Sequence, residues 1–112
     1  MNNLKTQEEF DEMTQKSEYI LFKKSPTCMR SISAYKELEK AIVELWLKDI
    51  YILDVLDTWE LKYYIADYYD IVHESPQVIV KLWSKIEFAN HGKITLGRFH
   101  QTINWRHDTR SK

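Results

Sequence analysis

Apolar runs of strand length alternate with segments of helical period along most of this chain, which restricts it to a mixed sheet layered with helices. Thr6 followed three residues later by Glu9 is a capping-box pattern, and Phe10 and Met13 then supply apolar positions at helical spacing. A short first helix is expected there. Tyr19-Ile20-Leu21-Phe22 reads as a strand, ended by Lys23, Lys24, Ser25 and Pro26. From Cys28 onward the period changes. Ala34, Leu38, Ala41, Ile42 and Leu45 fall on one face of an α-helix, while Lys36, Glu37, Glu39, Lys40 and Glu44 occupy the other side. Ile50-Tyr51-Ile52-Leu53, with Val55 and Leu56 beyond Asp54, suits a strand buried on both faces of a sheet.

The second half continues the alternation. Asp57 or Thr58 is expected to cap a third helix from near Glu60 to about Tyr69, with Leu61, Tyr64, Ile65 and Tyr68 as apolar positions. His-Glu-Ser-Pro-Gln at 73–77 leads into Val78-Ile79-Val80-Lys81-Leu82-Trp83, a β-branched run. Ser84-Lys85 reads as a tight turn into Ile86-Glu87-Phe88-Ala89, an exposed hairpin strand. A last helix from Thr95 would place Leu96, Phe99 and Ile103 on one face, weakened by about 1 kcal/mol at Gly97 relative to alanine. The order implied is helix, strand, helix, strand, helix, strand, strand, helix. That is an α/β class with a central mixed sheet of about four strands and helices on both faces. The 112 residues suit one domain over 1–112, with a polar C-terminal tail from about 106.

Charge and composition exclude several classes. The formal net charge of −1 removes the electrostatic argument for a nucleic-acid partner, and the late basic cluster (Arg98, Arg106, Arg110, Lys112) is diluted by Asp108. No stretch approaches the ~20 apolar residues that span a bilayer, and Met1 to Phe10 is polar and acidic, unlike a secretion signal. No membrane partner and a cytoplasmic location are therefore expected, where thiols are kept reduced. His73, His91, His100 and His107 fall in different elements without paired-ligand spacing, so no metal site is expected. The four tryptophans read as core or rim aromatics, and Tyr63, Tyr64, Tyr68 and Tyr69 as packing and surface.

Cys28 is the single cysteine, so it is either a small buried hydrophobe or a reactive thiol. It sits in Ser-Pro-Thr-Cys-Met-Arg-Ser, directly after a strand and at the first turn of the amphipathic helix. First-turn N–H groups lack intrahelical partners, and their dipoles favour an anion. Such placement, or a nearby cation, lowers a cysteine pKa to between about 3.5 and 7.5. Arg30 adds a positive charge two residues on, and Ser31 offers a hydroxyl one turn along. Pro76 opens a strand where a missing N–H is tolerated, and an X–Pro bond is by itself far more often trans than cis.

Thr-Cys-x-x-Ser at 27–31, Ala34-Tyr35, His-Glu-Ser-Pro-Gln at 73–77 and His91-Gly92 together resemble the YtxJ-type monothiol bacilliredoxins, from the first helix to about Thr95. The resemblance implies a thioredoxin-like fold, a nucleophilic Cys28, and Ser31 in place of a second redox cysteine. It also implies a cis Pro76 facing the nucleophile, with Ser75 supplying backbone to an extended client. Catalytic residues are then Cys28, Ser31 and Pro76, and substrate-binding residues Thr27, Met29, Arg30 and Ser75. Thr27 either helps cap the helix or borders the small-thiol site. No tightly bound cofactor is implied; a low-molecular-weight thiol, bacillithiol, serves as co-substrate, and S-thiolated client proteins are the partners. The expected state is a monomer, with a Cys28-linked dimer under oxidation. Where the family has proline and an apolar residue after the cysteine, this chain has Met29 and Arg30, a more cationic and less pre-organised loop. Rival readings are a non-catalytic thioredoxin-like adaptor and a monothiol enzyme using glutathione or coenzyme A.

Overall fold

The computed structural model describes residues 1–25, 29–56, 58–83, 85–90 and 94–102, and of Trp59 the backbone only. In chain order the elements are β1 (Asn2–Asn3), α1 (Gln7–Thr14), β2 (Glu18–Lys24), α2 (Met29–Leu45) and β3 (Ile50–Asp54). They continue with α3 (Trp59–Tyr69), β4 (Gln77–Leu82), β5 (Lys85–Asn90) and a helix α4 over residues 96–102. Among the described residues the strands form one five-stranded sheet in the order β1-β3-β2-β4-β5. β1, β3 and β2 run parallel, while β4 is antiparallel to β2 and β5 antiparallel to β4. β1 is the strand beyond the expected four: two residues pairing with Tyr51 and Ile52, too short to leave a periodic signal.

Period-2 alternation divides the sheet's side chains between two cores. Ile20, Phe22, Ile52, Val78 and Val80 pack against Ala34, Leu38 and Ala41 of α2, together with Ile94 and Phe99. Tyr19, Leu21, Leu53 and Ile79 point the other way, onto Phe10 and Met13 of α1 and Leu61 and Ile65 of α3. Each such fully buried side chain contributes roughly 1.5–3 kcal/mol relative to exposure. β3 is buried on both faces through Leu53, as its unbroken apolar run requires.

The starts of α1 and α4 are locally encoded, and that of α3 is built differently. Thr6 accepts from the Glu9 N–H at 3.1 Å, and the Glu9 carboxylate accepts from the Thr6 N–H at 3.1 Å, so both halves of the capping box are made. Thr95 Oγ1 likewise accepts from the Arg98 N–H at the start of α4. Thr58 occupies the N-cap of α3, which begins at Trp59, but does not cap it. Its hydroxyl donates to the Asp54 carbonyl at 2.7 Å, fastening the helix to the end of β3 instead. Asp57, the other expected cap, lies outside the described residues, as do Ser84 and Ile103. Trp83 leaves the strand for the hairpin turn, with φ 56° and its N–H bonded to the Ser17 carbonyl at 2.8 Å. Trp46 also has positive φ and stands 86% exposed, so neither tryptophan joins the core.

Candidate functional site

β2 runs between β3 and β4, and the chain passes from its end at Lys24 into α2 at Met29. Pro26, Thr27 and Cys28 occupy that stretch of sequence and lie outside the described residues. Ser31, in the first turn of α2, is 2% exposed, and its Oγ accepts from the Ser25 N–H at 3.0 Å. This bond clamps the end of β2 to the start of the helix. It engages a lone pair of the oxygen, so the hydroxyl hydrogen remains available to a further acceptor. The first turn of α2 carries no acidic side chain, so no carboxylate on it neutralises the positive end of the helix dipole, to which Arg30 adds a further positive charge.

Pro76 closes on the same edge from the neighbouring strand. It is fully buried, and the Ser75–Pro76 peptide bond is cis. Gln77 pairs with Lys23 across the β2–β4 ladder, so the antiparallel register carries Pro76 toward the Lys24 end of β2, the end that leads to residue 28. Ser75 Oγ is buried and without a hydrogen-bond partner among the described residues. Two depressions flank the start of α2. One, about 260 Å³, is lined by Lys24, Ser25, Ser31 and Tyr35 among others. The larger, about 580 Å³, is lined by Met29, Arg30, Ser33, Lys36 and Thr95 among others, and Met29 is 73% exposed at its rim.

Lys23 departs from its sequence reading. Its charge marks it as a strand end, yet β2 continues through Lys24 and the Lys23 side chain is 0% exposed. Alternation explains this: Lys23 follows Tyr19 and Leu21 onto the α1/α3 face, beside its cross-strand neighbour Gln77. Its ammonium lies 3.5 Å from His73 Nδ1 and has no ion-pair partner among the described residues. Burial pushes the Lys23 pKa down to about 8. Burial, reinforced by the charges of Lys23 and Lys62, pushes His73 down to about 4, with Glu74 pulling the other way. Gln77, also buried, donates from Nε2 to the Val72 carbonyl at 3.2 Å and to Asn90 Oδ1 at 3.0 Å. Lys23 and Gln77 therefore hold both ends of the segment 72–77 that contains the cis bond. No motif marks Lys23, and Gln77 enters the sequence reading only as the last residue of His-Glu-Ser-Pro-Gln, with no role assigned to it. The signal that could have found Lys23 is its place in the alternating sequence Tyr19, Leu21, Lys23.

A central β2 paired parallel to β3 and antiparallel to β4, a helix issuing from its end, and a cis-proline opening β4 define a thioredoxin-fold protein. A solved structure described as a candidate oxidoreductase with a thioredoxin fold is similar at 27% identity and a TM-score of 0.82, over 91% of this chain and 92% of that one. Chloroplastic thioredoxin z superimposes with a TM-score of 0.74 at 10% identity, covering 96% of this chain and 95% of its own. Thioredoxin from Trypanosoma brucei brucei gives 0.70 at 13%, over 91% and 88%. The last two show the fold alone. Residues 2–99 match the family model of monothiol bacilliredoxin BrxC, and the chain belongs to that family. Family and fold together give it a thiol redox role.

Proposed function

We propose that this chain removes a low-molecular-weight thiol, bacillithiol, from mixed disulfides on client proteins in the cytoplasm, using Cys28 as the nucleophile. The family match over residues 2–99, in a chain whose single cysteine precedes α2, carries the reading. The Cys28 thiolate attacks the small-thiol sulfur of the mixed disulfide. The bond between that sulfur and the client sulfur breaks, a new disulfide forms between the small thiol and Cys28, and the client leaves as a thiolate that takes a proton from water. A second small thiol, or another redoxin, then attacks the adduct and frees Cys28. With one cysteine in the sequence, no intramolecular dithiol cycle is available.

Roles for the neighbours follow from their chemistry. The dipole of α2 and the Arg30 guanidinium favour the thiolate, and the Ser31 hydroxyl has a hydrogen free to donate to it. Ser75 presents the backbone before the cis bond to an extended client segment, and Pro76 bounds the approach to the sulfur. Thr27 and Met29 flank the small thiol. The monomer is the working state, and a Cys28-linked dimer forms only under oxidation. Mass spectrometry after incubation with a bacillithiolated client provides the test. The expected result is transfer of the adduct to Cys28, abolished in Cys28→Ser; a client that keeps its modification overturns the assignment. Clients carrying glutathione or coenzyme A, run in parallel, identify the preferred thiol.

A further inference from the structure

Two adjacent rows of α2 line the 580 Å³ depression: Met29, Ser33, Lys36 and Lys40 on one, Arg30, Ala34 and Glu37 on the other. Ile94 and Thr95, leading into α4, complete the lining. Buried Ala34 and Ile94 provide an apolar floor, and the exposed Met29 side chain an apolar rim. Its volume is within the range of small-molecule sites.

The charges in this depression do not cancel. Glu37, its one carboxylate among the described residues, is doubly engaged. It accepts from Lys40 Nζ at 3.1 Å and from the Leu96 N–H, and these bonds hold its carboxyl below the usual range. Arg30 and Lys36 are exposed and have no ion-pair partner among the described residues. Two uncompensated cations thus stand in a cavity that begins at the residue after Cys28. A small molecule joined by its sulfur to residue 28 is tethered within reach of that cavity, so even weak contacts there are made at high effective concentration.

We propose that this depression holds the non-sulfur end of the small thiol, and that Arg30 and Lys36 select thiols bearing carboxylates. The inference rests on Cys28 being the acceptor of the small thiol. A guanidinium matches a carboxylate with two parallel N–H···O bonds, while Lys36 supplies a point charge. Both groups are solvent-exposed, so each contributes at most about fivefold in rate.

The test compares transfer to the full chain from one client protein carrying either glutathione, with two carboxylates, or cysteamine, with none and an ammonium group. The quantity read is the ratio of the two second-order rates. In the wild type it favours glutathione, and the preference shrinks at high salt because the cations are exposed. In Arg30→Gln/Lys36→Gln the ratio falls by up to about 25-fold, and in Arg30→Glu it inverts. An unchanged ratio in the double variant, with transfer intact, overturns the subsite while leaving the thiol-removal reading in place. Transfer of neither adduct to wild-type Cys28, while a bacillithiolated client still passes its adduct on, overturns the subsite alone; failure of the bacillithiolated client as well overturns the thiol-removal reading and the subsite with it.

Discussion

The two faces of the sheet are built on different terms. The face under α2 and α4 is hydrocarbon across the central strands, from Ile20 and Phe22 through Ile52 to Val78 and Val80. The face under α1 and α3 begins the same way but ends, beside the cis bond, in Lys23, His73 and Gln77. Phe22 and Lys23 are chain neighbours, both 0% exposed, and they point to opposite sides. One face supplies stability; the other gives some up where the segment entering β4 must be held. Buried polar groups of that kind concentrate at functional sites.

Substitution at this neighbouring pair should move stability in opposite directions. Phe22→Ala is expected to lose about 3–5 kcal/mol in denaturant unfolding, the transfer and cavity terms of an aromatic core residue. Lys23→Met keeps the volume and removes the buried amine. A pKa of about 8 in the folded chain against 10.5 unfolded means that the folded state binds fewer protons between those values. Native stability therefore carries a penalty on the order of 3 kcal/mol below pH 8, relieved as pH rises toward 10.5. Lys23→Met should be more stable than wild type at pH 7 and lose that rise. A variant that is less stable at pH 7 would break the contrast.

The next effect is smaller and concerns His73. Its pKa near 4, against 6.5 unfolded, makes stability fall as pH drops from 6.5 toward 4. His73→Gln should flatten this acid limb. In Lys23→Met the His73 titration, followed by NMR, should move up toward its ordinary value because one of the repelling charges is gone. A titration midpoint that stays put would show that Lys23 does not act on it.

The smallest effects come from the helices that cover each face. Thr6→Ala removes the cap of α1 and should destabilise by about 1 kcal/mol. Gly97→Ala should stabilise α4 by about 0.5–1 kcal/mol, because among the described residues the added Cβ would meet only Thr95 Oγ1, at 3.9 Å. Thermal unfolding of the pair reads both signs.

Local rules made much of this legible. The capping box at Thr6 and Glu9, the α2 stripe and the buried β3 run are read from a few consecutive residues, and the structure keeps them. β1 escaped because two residues cannot show a period. Lys23 was misplaced because charge was read as solvent exposure, whereas alternation around Tyr19 and Leu21 had already committed it to the interior. Thr58, one of the two caps expected, does stand at the N-cap of α3, but its hydroxyl donates to the Asp54 carbonyl at the end of β3 and makes no capping bond. Of the candidate site, the sequence marks Ser31 and Pro76, which the structure describes at the two strand ends, and Cys28, which lies outside the described residues. The bond from Ser25 to Ser31, the grip on segment 72–77 and the depression shared with Thr95 arise from packing between distant segments, which no local pattern encodes.

The rims of the sheet have one more consequence. β1 offers only two residues of free edge, and on the outer strand β5 Lys85 and Glu87 are joined by an ion pair at 2.9 Å. Short or charged borders of this kind discourage strand-by-strand polymerisation. A second copy of the chain thus finds little invitation to extend the sheet at either border.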